Sequence, residues 1–206
     1  MGCDELMAHG DAVLEAIKKR MFQEGFRSAK QAQRKLAKMN AGKSAQARRD
    51  EIVEQAKADV EKLTNYGDGV RYETDMWSFA TCDVEFVVNR DKRTVVALLK
   101  GVRTGKVYAK GIAKAAPDDC FNVHIGKAIA LRRALGSAVP DEYLNTPQPT
   151  EVRVGDVVEF QSVYKAVERA LVVSDDESTG EGKIALGSAY ADIAKIIDDS
   201  REEVGE

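Results

Sequence analysis

The feature that most constrains this chain is a run of short apolar segments, parted by polar turns and followed at once by a helical pattern. Val84-Glu85-Phe86-Val87-Val88 is β-branched and apolar, Asn89-Arg90-Asp91-Lys92-Arg93 is a polar turn, and Thr94-Val95-Val96-Ala97-Leu98-Leu99 returns. A second turn at Thr104-Gly105 leads into Lys106 to Lys114, where charged and apolar residues alternate. Alternation with a period of two predicts strands with one dry and one wet face. Pro117-Asp118-Asp119 then opens a predicted helix that ends at Gly136, with Ile125, Ala128, Ile129, Leu131 and Leu135 packing on the sheet. A β-β-β-α unit is thus expected over residues 78–136, with one sheet face left for another use.

Helical patterns precede this unit. Val13, Leu14, Ile17 and Met21 form one apolar stripe, and Ser28 to about Met39 a second, thinner piece. Asn40-Ala41-Gly42 is a stop signal. Ser44 caps a third expected helix with Ile52, Val53, Ala56, Val60 and Leu63 on one side. Stripes this thin do not fold alone. They need each other, the body of the chain or another copy, and the favoured reading is a helical arm over residues 1–64 used for oligomerisation or ligand contact, closed by the turn cluster Asn65-Tyr66-Gly67-Asp68-Gly69. After a linker from Pro140 to Pro149 come three strand candidates, at 151–160, 169–173 and 183–186. They predict a small β-barrel-like domain over 150–200, and Arg201 to Glu206 reads as a frayed acidic tail. The fold class expected is α+β: an N-terminal helical arm, an antiparallel β-β-β-α unit and a small β-rich C-terminal domain.

Charge is unevenly distributed along the chain. The net charge of −3 hides eleven Lys/Arg against one acid between Ile17 and Arg49, and eleven against five between Ser78 and Gly136. From Ser137 onward there are six Lys/Arg against sixteen acids. Such blocks imply a polyanionic partner for the basic part, or two halves that face each other. No apolar stretch reaches the roughly 20 residues of a membrane span, the start Met1-Gly2-Cys3-Asp4-Glu5 lacks the features of a signal peptide, and Met7 stands where a myristoylation signal wants Ser or Thr. A cytoplasmic protein with no membrane partner is expected. The cysteines are Cys3, Cys82 and Cys120, the histidines His9 and His124. Their number and spacing suit free thiols in a reducing compartment, with no metal and no cofactor.

Catalytic motifs are sparse. Gly101-Val102-Arg103-Thr104-Gly105-Lys106 looks superficially like a phosphate loop but lies between strands, so it reads as a hairpin turn. Cys120 and His124 stand four apart near a helix start, a spacing open to a thiolate nucleophile but commoner for structural residues. Asp118 and Asp119 fit helix capping better than paired carboxylates. Asp198 and Asp199 read as solvated charge rather than metal ligands. A binding protein is expected, not an enzyme.

Lys106, Tyr108 and Lys110 fall on one expected strand face, two ammoniums around one ring, which suits base stacking with phosphate contacts. Arg132 falls inside the apolar arc of its helix and either snorkels to water or reaches an anion or acid partner, while Arg133 flanks the helix and is free for Asp119 or a phosphate. Lys106, Tyr108, Lys110, Lys114, Arg132 and Arg133 therefore form the expected ligand site.

Gly111, Ala113, Lys114, Pro117, Asp119, Phe121, Gly126, Ala130, Arg133, Ala134 and Leu135 carry a pattern, G-x-A-K-x-x-P-x-D-x-F-x-x-x-x-G-x-x-x-A-x-x-R-A-L, that resembles a family of small uncharacterised phage and prophage proteins. The resemblance covers roughly residues 80–136. In outline the segment is also similar to double-stranded-RNA-binding domains, and more loosely to the nucleotide-sequestering Thoeris anti-defence sponges of phages. These resemblances imply a phage-encoded protein in a host bacterial cell, binding a nucleotide or nucleic acid and acting against host defence, and the thin helical stripes add the expectation of a homo-oligomer. The alternative is a protein-directed inhibitor or adaptor, its acidic C-terminal region covering a host defence protein.

Overall fold

The computed structural model describes residues 18–22, 24, 25, 30, 43–64, 69–75, 78–161, 166–191 and 194–201. The chain divides into two compact units, Met1–Ser44 and Ala45–Glu206. In the first unit residues 18–22, 24 and 25 are helical, and Met21 and Phe22 are exposed. Lys30 is helical as well, and the rest of the two expected helices there lies outside the described residues, as does the tail beyond Arg201.

The second unit is α+β, with two four-stranded sheets. It opens with helix α1 (Ala45–Thr64). The first sheet is a meander in the order β1-β2-β3-β4: β1 (Val70–Asp75), β2 (Ser78–Asn89), β3 (Thr94–Gly101) and β4 (Val107–Lys114). All three pairings are antiparallel. Helix α2 (Val123–Ala134) covers one face of this sheet, and α3 (Asp141–Leu144) is a single turn. The second sheet comprises β5 (Val157–Gln161), β6 (Val167–Val173), β7 (Lys183–Ala185) and β8 (Lys195–Asp198), with helix α4 (Leu186–Ala191) after β7. Its order is β7-β6-β5-β8, with β7 parallel to β6. Among the described residues, no helix is long and apolar enough to cross a membrane.

Several expectations need correction. The meander has a fourth strand, Val70–Asp75, so the sheet begins before residue 78. The division of the chain falls at Ser44, not at the 65–69 turn cluster. Helix α1 is therefore no part of an arm: its apolar stripe packs at home, Ile52 and Ala56 against Ile125, Ala128 and Tyr143. A thin stripe suffices because α2 is buried on two sides, by the sheet and by α1. The Pro140–Pro149 stretch is more than a linker, since Tyr143 is buried and the Pro147 carbonyl accepts from Arg49. Helix α2 starts at Val123, and its cap is Asn122, whose Oδ1 accepts from the backbone N–H of His124 and Ile125. Asp118 and Asp119 lie upstream and cap nothing, because extended backbone at Asn122 places its own amide at the orphan donors.

The sheet face under α2 is lined by small residues, and this sets how closely the helix sits. Val95, Ala97, Leu99 and Ala113 are buried there with Leu131 and Ala134 of α2. A Cβ at Gly111 would lie 2.0 Å from the Ala130 carbonyl oxygen and 2.5 Å from the Ala134 nitrogen. Both obstacles are helix backbone, so they cannot swing aside as a side chain would. Gly111→Ala is therefore expected to destabilise the protein by about 1–3 kcal/mol or more through overpacking. Urea unfolding checks it, and a parental midpoint for the variant would contradict the close approach.

Candidate functional site

Strand β4 carries three of the six expected ligand residues, but not on one face. Lys110 and Lys114 are exposed and alternate with the buried Gly111 and Ala113. Lower in the strand the pairing slips, with Leu99 opposite Ala109 but Lys100 opposite Val107. Tyr108 is the extra residue of a bulge, which re-aims its side chain. Its ring packs against the core cluster and against Gly101, where a Cβ would lie 2.6 Å from the ring. Lys106 precedes the strand. The expected shared face of Lys106, Tyr108 and Lys110 is thus not formed. One element of it survives, for the Lys106 ammonium stands 5.7 Å from the centroid of the Tyr108 ring.

The two arginines at the end of α2 part company. Arg132 grips Asp59 of α1 in two-pronged fashion, Nε to Oδ2 at 2.5 Å and Nη2 to Oδ1 at 2.6 Å, and donates Nη1 to the Ala138 carbonyl at 3.0 Å. It is the acid partner, not a bound anion, that explains an arginine inside the apolar arc. Arg132 is a clamp between helices and is not available to a ligand. Arg133 is exposed and donates Nη1 to the Ile112 carbonyl on β4 at 2.6 Å. It does not meet Asp119, whose Oδ1 accepts from Gln148. A guanidinium has five N–H donors, and that carbonyl uses one.

Arg133 borders two concavities. One is an open depression of about 680 Å³ between β1, β4 and the end of α2. Arg71, Tyr72, Phe79, Tyr108 and Lys110 line it with Arg133, and among the described residues Glu73 is the one carboxylate on its wall. The Arg71 guanidinium stacks on the Phe79 ring, 4.7 Å from its centroid, and that ring is 57% exposed. The other is a cavity of about 140 Å³ between the end of β4, α2 and the 143–148 segment. Lys114 and Arg133 stand on its wall with Ile125, Ile129 and Tyr143. Burial, with the Asp59 charge nearby, pushes the Tyr143 phenol up to about 12, so it stays protonated. Among the described residues Lys110 and Lys114 have no ion-pair partner. Sequence reasoning missed Arg71 and Phe79 because it missed β1 and took 78 as a boundary. The alternation Val70-Arg71-Tyr72-Glu73 was the signal available.

The catalytic alternatives dissolve in a buried polar network. Cys120 donates its thiol to Asp199 Oδ1 at 3.6 Å and to the Phe121 carbonyl at 3.7 Å. Burial first, then the Asp199 charge, pushes that thiol far above the ordinary range, the setting of a structural thiol rather than of an activated nucleophile. His124 Nε2 lies 3.2 Å from the Ser200 carbonyl oxygen. Asp198 and Asp199 are not solvated: both are buried, Asp198 bound by Arg90 at 2.5 Å and Asp199 by Arg49 at 2.6 Å. Among the described residues no group of three or more His, Cys, Asp or Glu is placed to hold a metal ion. Comparison with protein-family models, with curated proteins and with solved structures finds no match.

The two arginines are expected to behave differently on truncation. Arg132→Ala leaves the largely buried Asp59 without its cation and should cost about 1–3 kcal/mol. Arg133→Ala removes an exposed head and should stay within about 0.5 kcal/mol of the parent. Equal losses in chemical denaturation would contradict the division of roles.

Proposed function

We propose that this chain is a non-enzymatic binding protein for a ring-bearing anion, a nucleotide or a short stretch of nucleic acid, held in the depression beside Arg133. The observation that carries this reading is the interleaving of cations with rings: Arg71 on Phe79, Lys106 on Tyr108, and Lys110 and Arg133 beside them. A base stacks on an exposed ring such as Phe79, while guanidiniums and ammoniums take the phosphates. The size supports a nucleotide over a long duplex. Pockets for small ligands run from about 300 to 1,000 Å³, and the depression falls inside that range at about 680 Å³. Glu73 interrupts the basic track that a polymer would follow, and suits a sugar hydroxyl or a base N–H instead.

The resemblance of residues 80–136 to phage and prophage proteins supplies a setting. In it, a phage-encoded protein would sequester a nucleotide signal from host defence inside the bacterial cytoplasm. A protein-directed inhibitor that uses the acidic C-terminal region has less behind it. Part of that acid is already paired within the chain: Asp199 with Arg49, Asp198 with Arg90, Asp156 with Arg201, Glu159 with Arg169 and Glu177 with Lys183.

Titration calorimetry with ATP, AMP and a short single-stranded DNA tests the proposal. Phe79→Ala and Arg133→Ala are each expected to weaken binding about 5- to 150-fold, the equivalent of about 1–3 kcal/mol per stacked base or charged hydrogen bond. Unchanged binding by both folded variants would move the site elsewhere. No binding of any probe by the parent would sink the polyanion reading.

A further inference from the structure

The outer face of the first sheet, opposite α2, is not the polar surface that a half-buried antiparallel sheet normally shows to water. Cross-strand register aligns its side chains in rows. Val87, Val96 and Ile112 form one row, and Glu85, Leu98 and Lys110 the next. Val87 is 47% and Ile112 46% exposed, while Val96 and Leu98 of the central strand are half-buried between their neighbours. An apolar patch therefore runs across three strands. Carboxylates flank it on β2, where Asp83 and Glu85 are exposed, and ammoniums on β4, where Lys110 and Lys114 are exposed.

We propose that this face is the interface of a homodimer, two copies packed sheet to sheet about a two-fold axis parallel to the strands. Charge selects both the occupant and the axis. With the axis running along β3, each β4 lies over β2 of the second copy. Ile112 then meets Val87, the two Val96 and the two Leu98 meet their counterparts, and Lys110 meets Glu85. Glu85 already pairs with Lys100 of its own chain, so its carboxylate sits between two ammoniums and holds the Lys100 head to one side. A two-fold axis across the strands would instead set Lys110 against Lys114. Sheets packed face to face lie about 10 Å apart with strands roughly aligned, which apolar side chains of this size fill.

The expected affinity follows from the size of the face. The three overlapping strands, about 4.8 Å apart and eight residues long at about 3.3 Å each, give a footprint on the order of 400 Å². Standard interfaces bury about 800 Å² per partner, so the dimer should be weak and dependent on concentration. The inference does not rest on the ligand reading, since it uses rows of the sheet that the depression does not border, Lys110 excepted.

Sedimentation equilibrium on the full chain, over roughly 1–200 µM, tests it with two charge reversals, Glu85→Lys and Lys110→Glu. The parent should approach the dimer mass at the upper end, and each variant alone should dissociate at least tenfold more readily. An equimolar mixture of the two should recover the parental affinity as a heterodimer. Ile112→Lys, at an already exposed position, should dissociate while keeping the parental circular dichroism spectrum. A parent monomeric throughout, variants that dimerise as the parent does, or a mixture that fails to recover would each overturn the proposal.

Discussion

The second unit is organised around one buried ion pair. Arg49 and Asp199 are 2% and 3% exposed in their side chains, and are joined by Nε to Oδ2 at 2.6 Å and Nη2 to Oδ1 at 2.8 Å. Burial alone raises the Asp199 carboxyl, but the hydrogen bonds and charge of Arg49 outweigh it and hold the group below the usual range. Desolvating two charges is costly, and such a pair is tolerable only when its remaining donors and acceptors are used. Here they are. Arg49 also donates to the Pro147 carbonyl, and Asp199 also accepts from Asn122 Nδ2 at 3.0 Å. The backbone beside the pair is tied as well, Phe121 N–H to the Ile197 carbonyl and Asp199 N–H to the Phe121 carbonyl. One ion pair thus joins α1, the 147 segment, the N-terminus of α2 and the end of β8.

The geometry of the candidate site follows from that anchor. Asn122 is held by Asp199 and in turn caps α2, so the start of the helix is fixed. The far end is fixed by the Arg132 clamp on Asp59, and the middle by the close approach at Gly111. With three points set, Arg133 can only emerge over β4, where it takes the Ile112 carbonyl and borders both concavities. Arg133 is in this way carried on a helix packed at three points rather than on a loop.

The parts legible in the sequence were those with a short period. Alternation gave three strands of the meander, and the stripe in residues 52–63 gave α1 as a helix, because both signals lie within a few residues. The partner of that stripe was not legible. It sits on α2, some 70 residues away, so a home-packed helix looked like an arm. The arginine inside the α2 arc was a legible anomaly, and its resolution, Asp59, needed the fold. Asp198 and Asp199 looked like surface charge because their cations, 108 and 150 positions away in the chain, leave no local mark. The bulge at Tyr108 was hidden for a related reason: Lys106, Tyr108 and Lys110 alternate perfectly, and the extra residue exists only relative to β3. Strand β1 was lost to its charged alternate residues, and with it Arg71 and the neighbouring Phe79.

A double-mutant cycle in urea at neutral pH tests the anchor most directly, with Arg49→Met, Asp199→Asn and the two combined. Each single change should cost about 3–5 kcal/mol, because it strands a buried charge. The double variant should lose no more than the worse single one, a coupling of at least about 3 kcal/mol. Additive losses, within about 0.5 kcal/mol, would contradict the account and reduce the pair to two independent contacts.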